Sequence, residues 1–511
     1  MITETFPMHQ EKTLTATLVD CLVDTFNREE IVYSHWKSNI DLAQATAGKM
    51  DLDLLVDRKS LPQALTILSH LGYKPAVARW GANPPSIRHY YGLDPDTKQL
   101  IHVHLFSRVL TGESYVKSHL FPFETMLLEN VYYSDQIRVA SKPAELVLFT
   151  LRMFIKYGSL LDLVFVWRKS ESLKTEVRWL QDGGDLTEAL SLLKKHCPVI
   201  DERLFVRCVE TLNSDSSLIG RMILAQQVRR RLRVYAKYTF FKRLLAYVRV
   251  LWAEVQRRLG TKQKNKVLQA GGDVIAFVGA DATGKSTLVT ETTRWLGDTF
   301  TIKVIHTGKP PSSWLTAPVN IALALVRRLI SLQRISRLNS QTSSSDSNPS
   351  QHKFRGLSSL LYALRAITLA WDRQRLILKT RRLAAEGEII VCDRYPSNVI
   401  GAMDSPRLLE EELLKTGRVV TIYNRLARLE KQLYKQIPPP DIVLKLKVSL
   451  ETAKKRNRER NGQDGDAYLE ARHRNSQDWH MPGTRYVYDI DTEQTLEQTI
   501  CDVKEAIWES L

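Results

Sequence analysis

The sequence predicts an α/β protein whose C-terminal part is a parallel sheet covered by helices on both faces. Two observations support this fold class. Short apolar runs rich in β-branched residues alternate with helical patterns, as expected for a sheet that is buried on both sides. A glycine-rich loop follows the first of these runs and leads into a helical pattern. The five runs occupy residues 274–278, 302–305, 389–392, 442–446 and 486–490.

The length of 511 residues is too great for one ordinary domain. Residues 1–142 mix strand-like runs, such as 52–56 and 100–105, with helical ones, whereas residues 143–268 are almost wholly helical in pattern. We therefore expect a small α+β domain at 1–142, a helical connector with a basic amphipathic helix at 143–268, and an α/β domain that carries the glycine-rich loop at 269–511.

Composition excludes several classes of protein. The 43% hydrophobic and 25% charged residues are typical of a globular chain with a substantial core. The five cysteines are scattered without a C-x-x-C pair, so we expect a cytoplasmic protein without a disulfide framework or zinc knuckle. The first residues lack a signal-peptide pattern, and no stretch of about 18 uncharged apolar residues predicts a membrane span.

Positive charge is concentrated in one segment. The formal net charge is +17, and residues 229–266 contribute +12 from thirteen Lys or Arg and one acid, Glu254. Apolar residues recur there at spacings of three and four, from Val234 through Trp252 to Leu259, which predicts a helical stripe. Three interpretations stay open: packing against the helical region, peripheral contact with anionic lipid at the inner face of the membrane, or a seam in a homodimer. Nucleic acid is a less favoured partner, because no base-reading motif accompanies the charge.

The segment at 279–286 fits the G-x-x-x-x-G-K-[ST] pattern of a phosphate-binding loop. Its glycines let backbone N–H groups turn inward around a phosphate, and the positive end of the next helix stabilises the anion. The Lys285 ammonium would reach the β- and γ-phosphates, and the Ser286 hydroxyl would bind Mg²⁺. The pattern therefore predicts a nucleoside triphosphate site with ATP and Mg²⁺ as cofactors. The expected binding residues are Gly279, Ala280, Asp281, Ala282, Thr283, Gly284, Lys285, Ser286 and Thr287.

Further motifs follow the loop. A helix carries an Asp-Arg pair at 372–373, and a Gly-Glu turn leads from it into a strand that ends in Asp-Arg-Tyr at 393–395. A Pro-Asp pair precedes another apolar strand at 440–448, and an arginine-bearing segment follows at 451–460. Together these segments resemble the thymidylate kinase family over about residues 270–510. The resemblance implies a kinase that transfers a phosphoryl group from ATP to a nucleotide or another phosphorylated metabolite.

The resemblance also implies roles on the acceptor side. Arg394, at the carboxyl end of a parallel strand, would grip the acceptor phosphate, with Arg373 and Tyr395 beside it. Asp393 would bind the Mg²⁺ water shell or orient the acceptor. Asp281 matches the acidic loop position that faces the acceptor sugar in that family.

The segment at 451–460 resembles the family's arginine-bearing lid. Arg456, Arg458 and Arg460 lie two residues apart, so a helix cannot place all three on one face. At least one of them would point into the cleft and stabilise the charge of the transferring group. The catalytic residues expected from motif and resemblance together are Lys285, Asp393, Arg394, Arg456 and Arg460.

The N-terminal region carries a second candidate site. Residues 33–39 and 48–56 resemble the nucleotidyltransferase-like fold, in which a turn of small residues precedes an Asp-x-Asp strand. Asp51 and Asp53 are two apart on a predicted strand, so their carboxylates point the same way, as a shared metal pair requires. The strand at 101–105 presents His102 and His104 where that family has a third acid. Both a metal site and an inactive relic are compatible with this pattern.

The acceptor of the predicted kinase stays open. Thymidylate kinases follow their second strand with Arg-Glu-Pro-Gly, whereas residues 306–311 contain neither the Arg nor the Glu. An alternative of another class is a nucleotide-sensing P-loop ATPase that regulates the N-terminal domain or membrane association. It would hydrolyse ATP slowly, without a small-molecule acceptor. A nucleic-acid-bound ATPase is a third interpretation.

Overall fold

The chain forms two compact units, Met1–Gln269 and Ala270–Leu511. No helix in the part of the chain that the structure describes combines the length and apolar character that crossing a membrane requires. The computed structural model describes residues 17–79, 83–113, 116–158, 170–214, 217–258, 265–314, 316–322, 324–325, 350–397, 404–408, 418–459, 466–477 and 479–511.

The first unit contains an eight-stranded mixed sheet in the order β10-β3-β4-β5-β2-β1-β9-β8, with β6 and β7 paired separately. The runs predicted at 52–56 and 100–105 are β2 and β5, which lie side by side and parallel. Strand β10 comes from far along the chain and closes one edge of the sheet by pairing with β3. The strands are β1 Tyr33–His35, β2 Leu52–Val56, β3 Lys74–Ala78, β4 Ile87–Leu93, β5 Leu100–Phe106, β6 Val109–Thr111, β7 His119–Phe121, β8 Val131–Ser134, β9 Ile137–Ala140 and β10 Lys266–Leu268.

A helical layer completes the first unit. Its central helix, Lys142–Tyr157, starts at Ser141, whose hydroxyl accepts a hydrogen bond from the Ala144 amide, and nearly all of its residues are buried. A helix that is apolar all round belongs in a core, and the other helices of the layer pack around this one. The helices of the unit are Leu18–Arg28, Leu42–Thr46, Leu61–His70, Glu124–Glu129, Lys142–Tyr157, Ser170–Gln181, Leu186–His196, Glu202–Asn213, Leu218–Arg231 and Phe240–Arg258, with 3-10 turns at Asn39–Asp41 and Leu232–Tyr235.

The basic helical stripe is interrupted near its start. Val234 lies in the 3-10 turn, and the α-helix begins only at Phe240. Between them the chain pairs briefly with β7, through a bridge from Ala236 to His119 and a hydrogen bond from the Lys237 amide to the Ser118 carbonyl. These contacts take the backbone donors out of helical geometry. Leu259, at the far end of the predicted stripe, lies outside the described residues.

The second unit is a five-stranded, wholly parallel sheet in the order β12-β13-β11-β14-β15, flanked by helices. The predicted α/β fold class is therefore confirmed. Each strand begins where its apolar run begins, and all carboxyl ends meet at one edge of the sheet. The strands are β11 Val274–Gly279, β12 Ile302–His306, β13 Ile389–Asp393, β14 Ile442–Lys447 and β15 Tyr486–Asp491. The helices whose bounds the structure describes in full are Lys285–Gly297, Ser350–Ala385, Arg418–Lys435, Leu450–Glu459, Asp466–Gln477 and Leu496–Ser510.

Candidate active site

The phosphate-binding loop, residues 279–286, joins β11 to the helix Lys285–Gly297. Its backbone enters the left-handed region at Gly279, Ala282 and Gly284, with φ of 151°, 65° and 87°. A Cβ on Gly279 would lie 2.7 Å from the carbonyl oxygen of Leu446 on the neighbouring strand, so this position needs glycine. In loops of this pattern, backbone amides point toward the space in front of the helix, where an anion is stabilised.

Lys285 is folded along this loop. Its ammonium donates hydrogen bonds to the carbonyl oxygens of Gly279, at 3.1 Å, and of Ala280. The side chain is 6% exposed, and burial lowers the pKa of Lys285 to about 8, although the nearby Asp281 carboxylate opposes the shift. A buried ammonium bonded to carbonyl oxygens can exchange them for anionic phosphate oxygens, which are stronger acceptors.

Two oxygen-bearing side chains suited to Mg²⁺ lie close together: Ser286, at the end of the phosphate-binding loop, and Asp393, at the end of β13. Ser286 Oγ donates a hydrogen bond to Asp393 Oδ2 at 3.3 Å, because β11 and β13 are paired in register at Phe277 and Asp393. The other oxygen, Asp393 Oδ1, is buried without a hydrogen-bond partner. A buried carboxylate oxygen without a donor is costly unless a cation or water satisfies it. The hydroxyl and the carboxylate therefore fit Mg²⁺, a hard cation that prefers oxygen ligands.

Arg394 follows directly at the end of β13. Its φ of 75° is unusual for a residue with a side chain, and its amide donates to the Phe277 carbonyl. Such left-handed residues cost roughly 1 kcal/mol or more and cluster at functional sites. Its side chain is 33% exposed, and Nη2 lies 3.6 Å from Asp281 Oδ1 of the phosphate-binding loop. Thus the structure brings together Asp281, Lys285, Ser286, Asp393 and Arg394.

Arg373 has a different environment from Arg394. It is 0% exposed, and its Nε donates to the Thr307 carbonyl at 2.8 Å. The two terminal nitrogens donate to the Tyr434 hydroxyl, the Gly308 carbonyl, and the carbonyl and carboxylate of Asp404. All five N–H groups of this guanidinium therefore contact protein atoms. Arg373 therefore holds the segment after β12 and the turn at Asp404 in place through these hydrogen bonds.

Tyr395 also faces the protein interior. It is 2% exposed, and its hydroxyl donates to the Pro438 carbonyl at 2.7 Å. Its ring packs in the core of the second unit. Sequence reasoning missed the residues that complete this side of the site, His306, Gly308 and Asp404, which lie around Arg394. The sequence signal in this segment is that residues 306–311 lack the Arg and Glu of the thymidylate kinase pattern.

The arginine-bearing segment is the helix Leu450–Glu459. Arg456 Nη2 donates to the Thr492 carbonyl at 2.7 Å, directly after β15, which places it at the carboxyl edge of the sheet. Arg458 is 71% exposed and pairs with Asp466 at 3.1 Å. Arg460 lies outside the described residues.

The N-terminal candidate residues also come together, on one face of the mixed sheet. Asp53 Oδ1 lies 2.7 Å from Lys37 Nζ and 3.0 Å from His104 Nδ1, and Asp51 Oδ1 lies 2.7 Å from His102 Nδ1. Burial alone would raise the pKa of the Asp53 carboxyl. The Lys37 ammonium and the His104 hydrogen bond outweigh burial and hold that pKa below its usual range.

Asp51 and Asp53 thus contact side chains of the chain itself, Lys37, His102 and His104. Among the described residues, no group of three or more His, Cys, Asp or Glu side chains is arranged to hold a metal ion. The two histidines extend into a stacked array, with His89 at 4.5 Å from His104 and Tyr91 at 4.4 Å from His102, measured between ring centroids.

Comparison with known proteins gives weak likenesses. A solved structure of deoxyadenosine kinase from M. mycoides with bound dATP matches at 18% identity and a TM-score of 0.27, covering 45% of this chain and 97% of that chain. Structures of the same kinase with bound dCTP, and with dCMP and a flexible dCDP, match at 18% identity and TM-scores of 0.24 and 0.26. Each covers 45% of this chain and 96% of that chain. No protein-family model and no curated protein matches. We therefore infer function from the residues of the site alone.

Proposed function

We propose that the Ala270–Leu511 unit is an ATP- and Mg²⁺-dependent phosphotransferase of the thymidylate kinase-like type, acting on a phosphorylated small molecule. One observation carries the proposal: two groups suited to phosphate meet at one edge of the sheet. Lys285 lies within the phosphate-binding loop, and the partly exposed Arg394 lies against the same loop through Asp281. A simple nucleotide switch needs a lysine such as Lys285 in the loop, but it does not need a second phosphate-binding group such as Arg394.

The described residues suit phosphoryl transfer, in which the γ-phosphorus leaves the oxygen of ADP and bonds to the acceptor oxygen. Lys285 would turn its donors from the loop carbonyls to the β- and γ-phosphates. Mg²⁺, when bound by Ser286 and Asp393, neutralises charge on those phosphates. Arg456, from the edge of the sheet, would stabilise the equatorial oxygens. Little covalent chemistry falls to the protein, so position and charge carry the rate.

Arg394 favours an acceptor that already carries a phosphate. A guanidinium presents a planar fork of donors that matches a phosphate or carboxylate. In the structure its counter-ion is the single carboxylate of Asp281, at 3.6 Å and partly exposed to solvent. An acceptor phosphate would accept hydrogen bonds from the Arg394 guanidinium in place of Asp281. Asp281 could then accept a hydrogen bond from a hydroxyl of the same acceptor molecule. Nucleoside monophosphates and sugar phosphates both offer this combination.

The test is an acceptor screen with γ-labelled ATP and Mg²⁺, using nucleoside monophosphates, unphosphorylated nucleosides and sugar phosphates. We expect label on at least one phosphorylated acceptor. Lys285→Met should abolish transfer, whereas the control Lys303→Met, which changes an exposed lysine on β12, should leave it unchanged. ATP hydrolysis that depends on Lys285, with no acceptor labelled, would reject the kinase and favour the nucleotide-sensing ATPase.

A further inference from the structure

The helix Phe240–Arg258 presents a broad apolar surface to solvent. Seven large apolar side chains along it are between 45% and 79% exposed. Soluble proteins rarely leave such a contiguous patch uncovered, and a patch of this kind marks an interaction surface. We call this set the exposed stripe: Phe241, Leu244, Leu245, Val248, Leu251, Trp252 and Val255.

The exposed stripe forms one face of the helix. Its members follow one another at spacings of three, one, three, three, one and three residues. At 100° per residue they fall within an arc of about 120°, and 19 residues of helix extend for about 28 Å. Lys242 and Arg249, both exposed, lie along one border of this arc.

Contacts on another side of the helix fix the direction in which the stripe faces. The Tyr247 hydroxyl donates to Glu113 Oε1 at 2.6 Å, and Arg229 Nη2 donates to the same oxygen at 2.7 Å. Glu113 is 1% exposed, so Tyr247 is anchored in the interior of the first unit. At 100° per residue Tyr247 lies about 40° beyond the Leu251 edge of the arc and about 100° from its middle, so this contact holds the helix from one flank of the stripe.

The charge around the stripe identifies the kind of partner. Residues 240–258 contain five Lys or Arg and one Glu, a net charge of 5 − 1 = +4, within the longer segment 229–266 of net charge +12. A second copy of this helix would bring another +4 against the first, which disfavours pairing of two stripes. An anionic surface with an apolar layer beneath it complements both the charge and the stripe.

We propose that the exposed stripe docks on an anionic phospholipid surface, with the helix lying in the plane of the interface. Trp252 and Phe241 would reach the boundary between headgroups and acyl chains, where aromatic side chains are favoured. Lys242 and Arg249 would contact the headgroup phosphates. The attachment is peripheral and leaves the second unit's chemistry in place.

Sedimentation of the full chain with vesicles tests the proposal. We expect binding to vesicles of phosphatidylcholine with phosphatidylserine that is at least ~10-fold tighter than to pure phosphatidylcholine, and that weakens as salt is raised. Leu245→Asp with Trp252→Asp should lower binding at least ~10-fold, because both apolar anchors are lost and two negative charges face the lipid. The matched control, Tyr133→Asp with Leu496→Asp, changes exposed apolar residues outside the stripe and should bind like the unaltered chain.

Circular dichroism and gel filtration verify that both double variants fold. Equal vesicle binding by the stripe variant and the unaltered chain would overturn the proposal. So would a dimer, seen by sedimentation equilibrium, that the stripe variant dissociates while neither protein binds vesicles. Salt-sensitive binding to duplex DNA or RNA without vesicle binding would also overturn it.

Discussion

Arg394 Nη2 and Asp281 Oδ1 lie 3.6 Å apart, which joins the end of β13 to the phosphate-binding loop. The pair is partly exposed, so solvent screens it and its own contribution to stability is small. Its value is positional, because it holds the Arg394 guanidinium beside the phosphate-binding loop. In the proposed reaction, an acceptor phosphate would compete with Asp281 for that guanidinium.

Replacing Arg394 should therefore affect the acceptor more than ATP. For Arg394→Ala we expect kcat/KM for the phosphorylated acceptor to fall roughly 10²-fold, as when one preorganised donor is lost from a reaction centre. The affinity for ATP, measured by calorimetry, should change little, since the loop and Lys285 remain. Arg375→Ala, which removes an exposed arginine on the helix Ser350–Ala385, is the control and should keep full activity. A loss of ATP affinity as large as the loss in kcat/KM would show that Arg394 does not act on the acceptor.

The Ser286–Asp393 pair makes a separate prediction about Mg²⁺. For Asp393→Asn we expect kcat at saturating ATP to fall roughly 10²-fold, corresponding to about 3 kcal/mol of lost charge stabilisation. The Mg²⁺ concentration needed for half-maximal rate should rise as well. Ser286→Ala should raise that concentration with a smaller loss in kcat. Titrations of activity with Mg²⁺ at fixed ATP test this, and unchanged Mg²⁺ dependence in both variants would remove these residues from the metal site.

The parallel sheet could be predicted from the sequence because its strands are continuous apolar runs. Each strand nevertheless extends one residue beyond its run, to Gly279, His306, Asp393, Lys447 or Asp491. These terminal residues are glycine or polar, so they fall outside an apolar pattern while their backbone groups still pair with the neighbouring strand. They are also the residues at the edge where the site lies.

The mixed sheet of the first unit was harder to predict. Strands such as β3 and β4 have broken patterns of burial, and β10 joins the sheet from far along the chain. Local periodicity carries no information about such pairing. The same limit applies to Arg373, whose partners Thr307, Tyr434 and Asp404 lie 66, 61 and 31 residues away. A loop whose residues are consecutive, by contrast, is visible in the sequence itself.

Glu145 gives the first unit a pH-dependent stability. It is fully buried, and its carboxylate accepts hydrogen bonds from the amide and the side chain of Asn39. Burial, with a contribution from the charge of Glu176, raises the pKa of Glu145 to about 7. Because this pKa is above that of Glu145 in the unfolded chain, the protonated carboxyl stabilises the fold. That stability is fully present below about pH 4.5 and is lost as the pH rises through 7.

As the pH rises from 5 to 8, we expect ionisation of Glu145 to lower the free energy of unfolding of the first unit by about 2 kcal/mol. Glu145→Gln, which stays neutral, should lack this part of the pH dependence and be the more stable protein at pH 8. Glu210→Gln changes an exposed carboxyl and is the control. Urea unfolding at the two pH values measures the difference, and parallel pH profiles for all three proteins would contradict the prediction.

Arg373 should act on stability more than on acceptor binding. Removing one partner of a buried charge pair costs roughly 3–5 kcal/mol, because the other charge is left buried and uncompensated. For Arg373→Gln we therefore expect faster hydrogen exchange in the peptides around 302–308 and 389–395, measured by mass spectrometry. Arg375→Gln, an exposed arginine on the same helix, should exchange like the unaltered chain. The opposite outcome is that Arg373→Gln keeps full protection from exchange and raises only the KM for the acceptor. In that case the Arg373 guanidinium of the unaltered chain must turn from Asp404 toward the substrate, which is the role that the resemblance to thymidylate kinases implies.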